Sequence, residues 1–437
     1  MANLSTQERP RGIHDLPLFC SLLAVAMLVS AHVLYSDHTT KTTFDMTFCF
    51  GPAIRGLIEQ HRLGYPDGVF GWWTYARRMP MIPVFGALVS SISTRFAVFF
   101  AIKNLLCWSV WIYALLRLRR RHHIGDYWIL LAAALVILVP FNGSIASHAE
   151  FEEGYLVAML GLAFVLLLSA AETLDYACIG LLVALIYLTK SSMPLVCGVI
   201  VSWAAVDGWK RCRFRALLPA LGLALAALGW GTYIYANTGV FAFGADESSW
   251  NGWNFLKGNN PNAVVLYPRI PLDSQDDAVN GPYPKGGGLY PLTPMHNEWE
   301  LSHAQFATGR QFVHDHPNMV LQMDRKKVWV ACCDVLEAPE RIPGQTRPLV
   351  IVSNIIDHTL VAVCLLWMVL RAWKRRFSAA EALFLLLIPA YLASYLFGWV
   401  YIRHMVPIYS LASMVLAIQL AGSIAGTSNQ EAELTPE

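Results

Sequence analysis

Two aspartates, Asp37 and Asp45, sit in the stretch YSDHTTKTTFDMTF (35–48), directly after the first apolar run of the chain. Charged groups recur at similar places: Arg77 and Arg78 in the same loop, His148, Glu150, Glu152 and Glu153 in NGSIASHAEFEE (142–153), Lys190 in TKSS (189–192) and Arg403 in WVYIRH (399–404). A positioned carboxylate can take a proton, and guanidinium or ammonium groups can stabilise a phosphate as negative charge grows on it. A plainer reading competes at every one of these positions, because charges at helix ends are commonly solvated stops and long cations snorkel to headgroups. Spacing separates the two aspartates. Asp37 follows Tyr35 at the end of the apolar run, where a stop explains it, whereas Asp45 stands among Phe44, Met46 and Phe48, where a carboxylate is unfavourable and no stop is needed.

Composition decides what must carry these groups. Of 437 residues, 56% are hydrophobic, 12% aromatic and 14% charged, and the mean hydropathy is +0.45, which indicates an all-α polytopic membrane protein. The formal net charge of +2 is too small to argue for a nucleic acid or an acidic partner. With roughly 20 apolar residues per crossing, spans are predicted near 17–35, 96–117, 126–142, 154–171, 175–189, 192–208, 216–235, 348–370, 379–397 and 404–422, about ten in all. The clusters RLRRRHH (117–123), KRCRFR (210–215) and RAWKRR (371–376) are then cytoplasmic by the positive-inside rule, with a cytoplasmic N-terminus. That parity requires MPMIPVFGALVSSI (79–92) to stay interfacial or re-entrant. The first span reads as an uncleaved anchor, although VSA (29–31) is similar to the small-residue pattern before a cleavage site. Three parts follow: an N-terminal transmembrane core with first-loop surface helices (1–235), a large extracytoplasmic loop (236–347), and C-terminal transmembrane helices with a cytoplasmic tail (348–437). The topology brings the loop carboxylates and cations to one extracytoplasmic face.

After Asp45, Ile54, Leu57 and Ile58 predict an amphipathic helix lying on the membrane, with Arg55, Glu59, Gln60 and Arg62 on its other faces. YARRMPMIP then turns the chain back toward the bilayer, its prolines restricting the backbone. The aromatics of the long loop, including Trp250, Trp253, Tyr267, Tyr283, Tyr290 and Trp299, suit sugar rings or acyl chains but equally a loop core, so the loop is expected to shape an acceptor site with no residue assigned. The nine cysteines form no disulfide framework, and KGGGL (285–289) has no following helix to receive a phosphate. Lys103 is read as the main charge buried in the spans.

Several passages together resemble the integral-membrane glycosyltransferases of the GT-C type, which use a sugar carried on a polyprenyl phosphate, as in the protein O-mannosyltransferases and the aminoarabinose transferase of lipid A. FDMTFCFGPAIRGLIEQHRLG (44–64) is similar to the first-loop acidic motif and its surface helix, and ARRMPMIPVF (76–85) to the Arg-Pro-Pro re-entry. HAEFEEGYL (148–156) resembles the second acidic motif, YIRHMVPIY (401–409) the late Arg-x-x-x-Pro, and GNNP (258–261) with FVHDHPNMVLQMDRKKVW the large loop of bacterial members. Met46 stands where a second acid often follows the first, and the paired prolines are split as Pro80 and Pro83.

The resemblance implies roles. Asp45 is the expected general base; Arg403, Lys190 and Arg78, in that order, are expected at the donor phosphate; Glu153, or Glu150 in its place, would support Asp45 or hold the acceptor. Displacement by one base would invert the anomeric centre. The expected donor is a polyprenyl-phosphate-linked hexose or pentose, and the expected acceptor a glycan, lipid or protein, in contact with membrane lipids and with no nucleic acid. Location in a bacterial inner membrane with the site facing the periplasm is implied as well. No metal-ligand set is indicated, so the cofactor is unknown and use of a divalent metal stays open. A polysaccharide polymerase or ligase and a lipid-linked sugar transporter are the rival readings.

Overall fold

The computed structural model describes residues 12–36, 50–66, 72–75, 78–149, 151–243, 249–268, 298–334, 346–375, 377–398 and 400–433. Among these, regular structure is almost wholly helical; the strands β1 (Tyr65–Pro66) and β2 (Trp73–Thr74) form one small antiparallel pair. Among the described residues seven helices are long and apolar enough to cross a membrane: Asp15–Ser36, Phe96–His122, Glu152–Ser169, Arg213–Thr238, Arg347–Trp373, Ala379–Phe397 and Ile402–Ser423. They fit an integral membrane protein.

Three predicted spans take other forms. The one expected at 126–142 is two helices, Asp126–Ile137 and Pro140–Ser147, bent by 70°. Pro140 has no N–H to continue the first helix, Asn142 donates to the Leu135 carbonyl at 3.1 Å, and a Cβ on Gly143 would lie 2.4 Å from the Ile137 carbonyl. The spans expected at 175–189 and 192–208 are the shorter apolar helices Thr173–Thr189 and Pro194–Trp209.

In chain order the first helices are α1 (Gly12–Ser36), α2 (Gly51–Gln60), α3 (Met81–Ser90), α4 (Phe96–His122), α5 (Asp126–Ile137) and α6 (Pro140–Ser147). Then come α7 (Glu152–Ser169), α8 (Thr173–Thr189), α9 (Pro194–Cys212), α10 (Leu218–Thr238), α11 (Ser249–Gly258), α12 (Pro261–Leu266), α13 (Glu298–Asp315), α14 (Pro317–Cys332), α15 (Arg347–Trp373) and α16 (Ala379–Phe397). The centre of the bundle is α7, with 83% of its apolar window buried, beside the span Ile402–Ser423, with 72% buried; α1 buries only 22% and faces outward. Polar bonds tie this core together, Trp111 donating to Ser410 at 2.7 Å and Trp108 to Ser30 at 3.1 Å. Helices α8 and α10 cross backbone to backbone, since a Cβ on Gly222 would lie 2.2 Å from the Gly180 carbonyl.

The stretch at 79–92 forms α3, ten residues or about 15 Å of helix, too short for a hydrocarbon layer of about 30 Å. It packs on α2, where Ile54 fills the space over Gly86. The predicted apolar face of α2 shifts as a result: Ala53, Ile54 and Gly56 are buried, Leu57 is half-buried, and Ile58 is exposed.

All three basic clusters lie at one end of the bundle. Arg119 pairs with Asp15 at 2.6 Å and also with Asp126, Arg117 pairs with Asp175 at 2.7 Å, Arg371 pairs with Glu381 at 3.1 Å, and the Cys212 thiol meets the Ala171 carbonyl at 3.4 Å. Because α8 carries Asp175 in its first turn and ends beside Lys190, the far end of the bundle holds Lys190 and its partners, roughly 25 Å away by helix rise.

A candidate anion site at the bundle end

The site is built on the start of α7. Phe151 is extended, and the first turn of the helix carries Glu152 and Glu153, where the positive end of the helix dipole favours carboxylates. Lys103 from α4 fixes the approach to that turn: it is fully buried, and its ammonium donates to the carbonyls of Ala146 at 2.5 Å and His148 at 3.0 Å and to Asn104 at 3.3 Å. Asn104 in turn donates to the Ser147 carbonyl at 2.9 Å. A side chain at 154 is excluded, because a Cβ there would lie 2.2 Å from the Ala146 carbonyl and 2.5 Å from the Lys103 ammonium.

Three cations reach the two carboxylates from distant parts of the chain. The Lys190 ammonium lies 2.8 Å from Glu152 Oε2 and 2.8 Å from Glu153 Oε1. Arg78 stands 3.7 Å from Glu152 Oε1. Arg403 acts electrostatically on Glu153, and its guanidinium covers the rings of Phe151 at 4.5 Å and Tyr401 at 5.3 Å. Burial alone would push the Lys190 ammonium down, but the Glu152 and Glu153 carboxylates outweigh it and hold its pKa above the ordinary lysine value. Lys190 also lies 5.4 Å from the centre of the Tyr395 ring.

A second layer fixes the first. His404 Nε2 is 3.9 Å from Glu153 Oε1, and its ring stacks on Tyr395 at 4.4 Å. The Tyr395 hydroxyl donates to that of Tyr391 at 3.2 Å, which donates to the His404 carbonyl at 2.7 Å. The two tyrosines belong to α16 (Ala379–Phe397) and His404 to the 3-10 turn Ile402–Met405. Among the described residues three cations gather round two acids, with backbone and rings fixed around them. Such a place can hold an anion.

Of the residues singled out by sequence, Glu153, Lys190, Arg78 and Arg403 come together here. Asp37, Asp45, Arg77 and Glu150 lie outside the described residues. Glu152 stood among the charged loop residues in the sequence but was given no role, and His404 was not singled out; both adjoin chosen residues, and that adjacency was the signal. It also treated Lys103 as the main buried charge, whereas Asp357 is equally enclosed in its span, accepting a hydrogen bond from Asn142 at 2.7 Å. In the long loop Tyr267 and Trp299 are core residues; Tyr283, Tyr290 and the Trp250 side chain lie outside the description. Among the described residues no group of three or more His, Cys, Asp or Glu side chains is arranged to hold a metal. Comparison with family models, curated proteins and solved structures returns no significant match.

Proposed function

We propose that the chain is a membrane glycosyltransferase of the GT-C type that takes a sugar from a polyprenyl phosphate. The observation that carries this reading is the convergence of Arg78, Lys190 and Arg403 on Glu152 and Glu153 at one end of the bundle. In this reading a lipid phosphate enters beside Arg403, Lys190 and Arg78, which stabilise it as the sugar–phosphate bond breaks and both electrons of that bond stay with the phosphate. Asp45 takes the proton of the attacking acceptor hydroxyl, the new glycosidic bond forms on the opposite face, and the anomeric centre inverts. Glu153 keeps Lys190 in place and, with Glu150, supports Asp45 or the acceptor. About ten spans, a cytoplasmic basic end, and a site facing the periplasm from a bacterial inner membrane complete the proposal.

The test is transfer by purified full-length protein from a panel of polyprenyl phosphate sugars to glycan, lipid and protein acceptors. Asp45→Asn should lower single-turnover transfer by a factor of about 10² to 10⁴, the usual worth of a general base, while donor binding stays; Asp37→Asn should be near silent. Transfer by Asp45→Asn at the parent rate would sink the mechanism and advance a polymerase or ligase.

One observation favours a second reading, a lipid-linked sugar transporter. The bent pair α5–α6 places Asn142 against Asp357 inside the span region, and Asn142 Oδ1 and Asp357 Oδ2 are both buried with no hydrogen-bond partner among the described residues. Interrupted helices with enclosed acids are common at transport sites. Movement of an intact lipid-linked sugar across vesicles, with no transfer product, would select it.

A further inference from the structure

The GNNP segment finds its role in the contacts of the extramembrane helices. These are α11 (Ser249–Gly258), α12 (Pro261–Leu266), α13 (Glu298–Asp315) and α14 (Pro317–Cys332). Their contacts converge on the few residues that end α16 and lead into the turn carrying Arg403. Lys327, fully buried, donates to the Leu396 carbonyl at 2.7 Å. Asn259 donates to the Phe397 carbonyl at 3.1 Å and to its own helix at the Phe255 carbonyl at 2.8 Å. The Tyr267 hydroxyl donates to the Val400 carbonyl at 2.8 Å. Gly258 approaches so closely that a Cβ would lie 1.9 Å from the Gly398 carbonyl.

Chemistry explains why these groups meet. The last carbonyls of a helix have no partner within it, so those of Leu396 and Phe397 need outside donors, and the loop supplies an ammonium and an amide. Asn260 caps α12, accepting from the Ala263 amide at 2.9 Å, and Pro261 suits the first helical position. That cap leaves Asn259 free to turn toward α16 and brings Tyr267 to Val400. Phe255, stacked on Phe306 at 5.1 Å, also packs on Phe397 at 4.6 Å, adding an apolar seal to the polar contacts. Val400 and Tyr401 are buried, and Arg403 follows at once.

We infer that Gly258, Asn259, Tyr267 and Lys327 are positioning residues, through which the extramembrane helices set where Arg403 stands at the anion site. What Arg403 binds rests on the function proposed above; that the loop positions it does not.

The experiment is hydrogen–deuterium exchange on full-length protein in nanodiscs, with decaprenyl phosphate binding measured on the same samples. Tyr267→Phe, Asn259→Ala and Lys327→Met should each raise exchange in residues 396–405 by about tenfold, the effect of losing one well-placed hydrogen bond. Exchange in α7 and near Asp15 should not change. Binding of decaprenyl phosphate should weaken by a comparable factor. Gly258→Ala should be the most severe, and the three milder variants carry the test where it fails to fold. Unchanged exchange at 396–405 in all three, or a rise spread equally over α7, overturns the positioning role. A local rise with phosphate binding intact, in these variants and in Arg403→Ala, upholds the positioning role and removes the lipid phosphate as the ligand of Arg403.

Discussion

Lys190 is the residue on which the candidate anion site turns. Its ammonium pairs with two carboxylates at once, so Lys190→Met leaves Glu153, 2% exposed, without its closest cation among the described residues. Removing one partner of a buried pair typically costs about 3–5 kcal/mol, and thermal unfolding in detergent should show a loss of that size. Adding Glu153→Gln should recover part of it, a coupling that a double-mutant cycle measures. The pH dependence has a definite sign. Because the folded-state pKa of Lys190 is raised, its contribution is fully present below the ordinary lysine value of about 10.4 and is lost only as pH rises through the higher folded value. Melting curves of the parent minus those of Lys190→Met should therefore show a constant gap from pH 7 to 9; a gap that closes in that window contradicts the pairing. Arg403→Lys should keep the charge yet weaken binding of decaprenyl phosphate by about tenfold, since the planar fork is lost; equal binding would exclude a bidentate contact. Arg78, Lys190 and Arg403 were legible in the sequence because a charge at the edge of an apolar run stands out. The choice of Glu152 and Glu153 together was not, since only the helix start at Glu152 shows that both adjacent acids meet Lys190.

At the scale of elements, the departures from expectation have a common cause. Hydropathy counts apolar residues and does not register a bend, so α5 and α6 read as one crossing. What holds the bend is Asn142, whose amide donates to Leu135 at 3.1 Å and to Asp357 at 2.7 Å. Asn142→Ala leaves two buried acceptors unpaired, each worth about 1–3 kcal/mol, and should lower the unfolding midpoint more than Asp357→Asn, which keeps an acceptor for the amide. A smaller effect of Asn142→Ala would show that the bend is held by packing alone. By contrast α2 was legible as a short surface helix from the spacing of Ile54, Leu57 and Ile58, and α3 as a stretch kept from crossing by the parity of the basic clusters. Their packing partners were not, because the apolar face of α2 is defined by Gly86 from another helix.

The whole molecule is polarised. One end carries the paired basic clusters together with exposed Tyr127, Trp209, Phe214 and Trp373, aromatics suited to a membrane–water boundary. The other carries the candidate anion site and the helices of residues 249–332. Arg120→Cys and His314→Cys, in a background without other reactive thiols, distinguish the two orientations in intact cells, as both parent side chains are exposed. The proposed topology expects an impermeant reagent to modify the His314 position and spare the Arg120 position; the opposite pattern reverses the molecule. This polarity was legible from the basic clusters, whereas the docking of the loop on residues 396–400 was not, because carbonyl acceptors carry no side-chain signature.

The length of α8 has a bearing on the lipid around it. Its 17 residues make about 25 Å of helix, less than a hydrocarbon layer of about 30 Å, and both ends are tethered by ion pairs, Asp175 to Arg117 and Lys190 to Glu152 and Glu153. Leu174 and Leu181 face outward. In the proposed ten-span topology α8 crosses the bilayer, and because a helix tethered at both ends cannot lengthen, the acyl chains beside it would compress. Thinning of this kind would draw lipid headgroups down toward Lys190, and in the proposed function the annulus of acyl chains becomes part of how the lipid-borne donor is presented. Reconstitution in bilayers of graded chain length should accordingly show tighter decaprenyl phosphate binding in shorter-chain lipid.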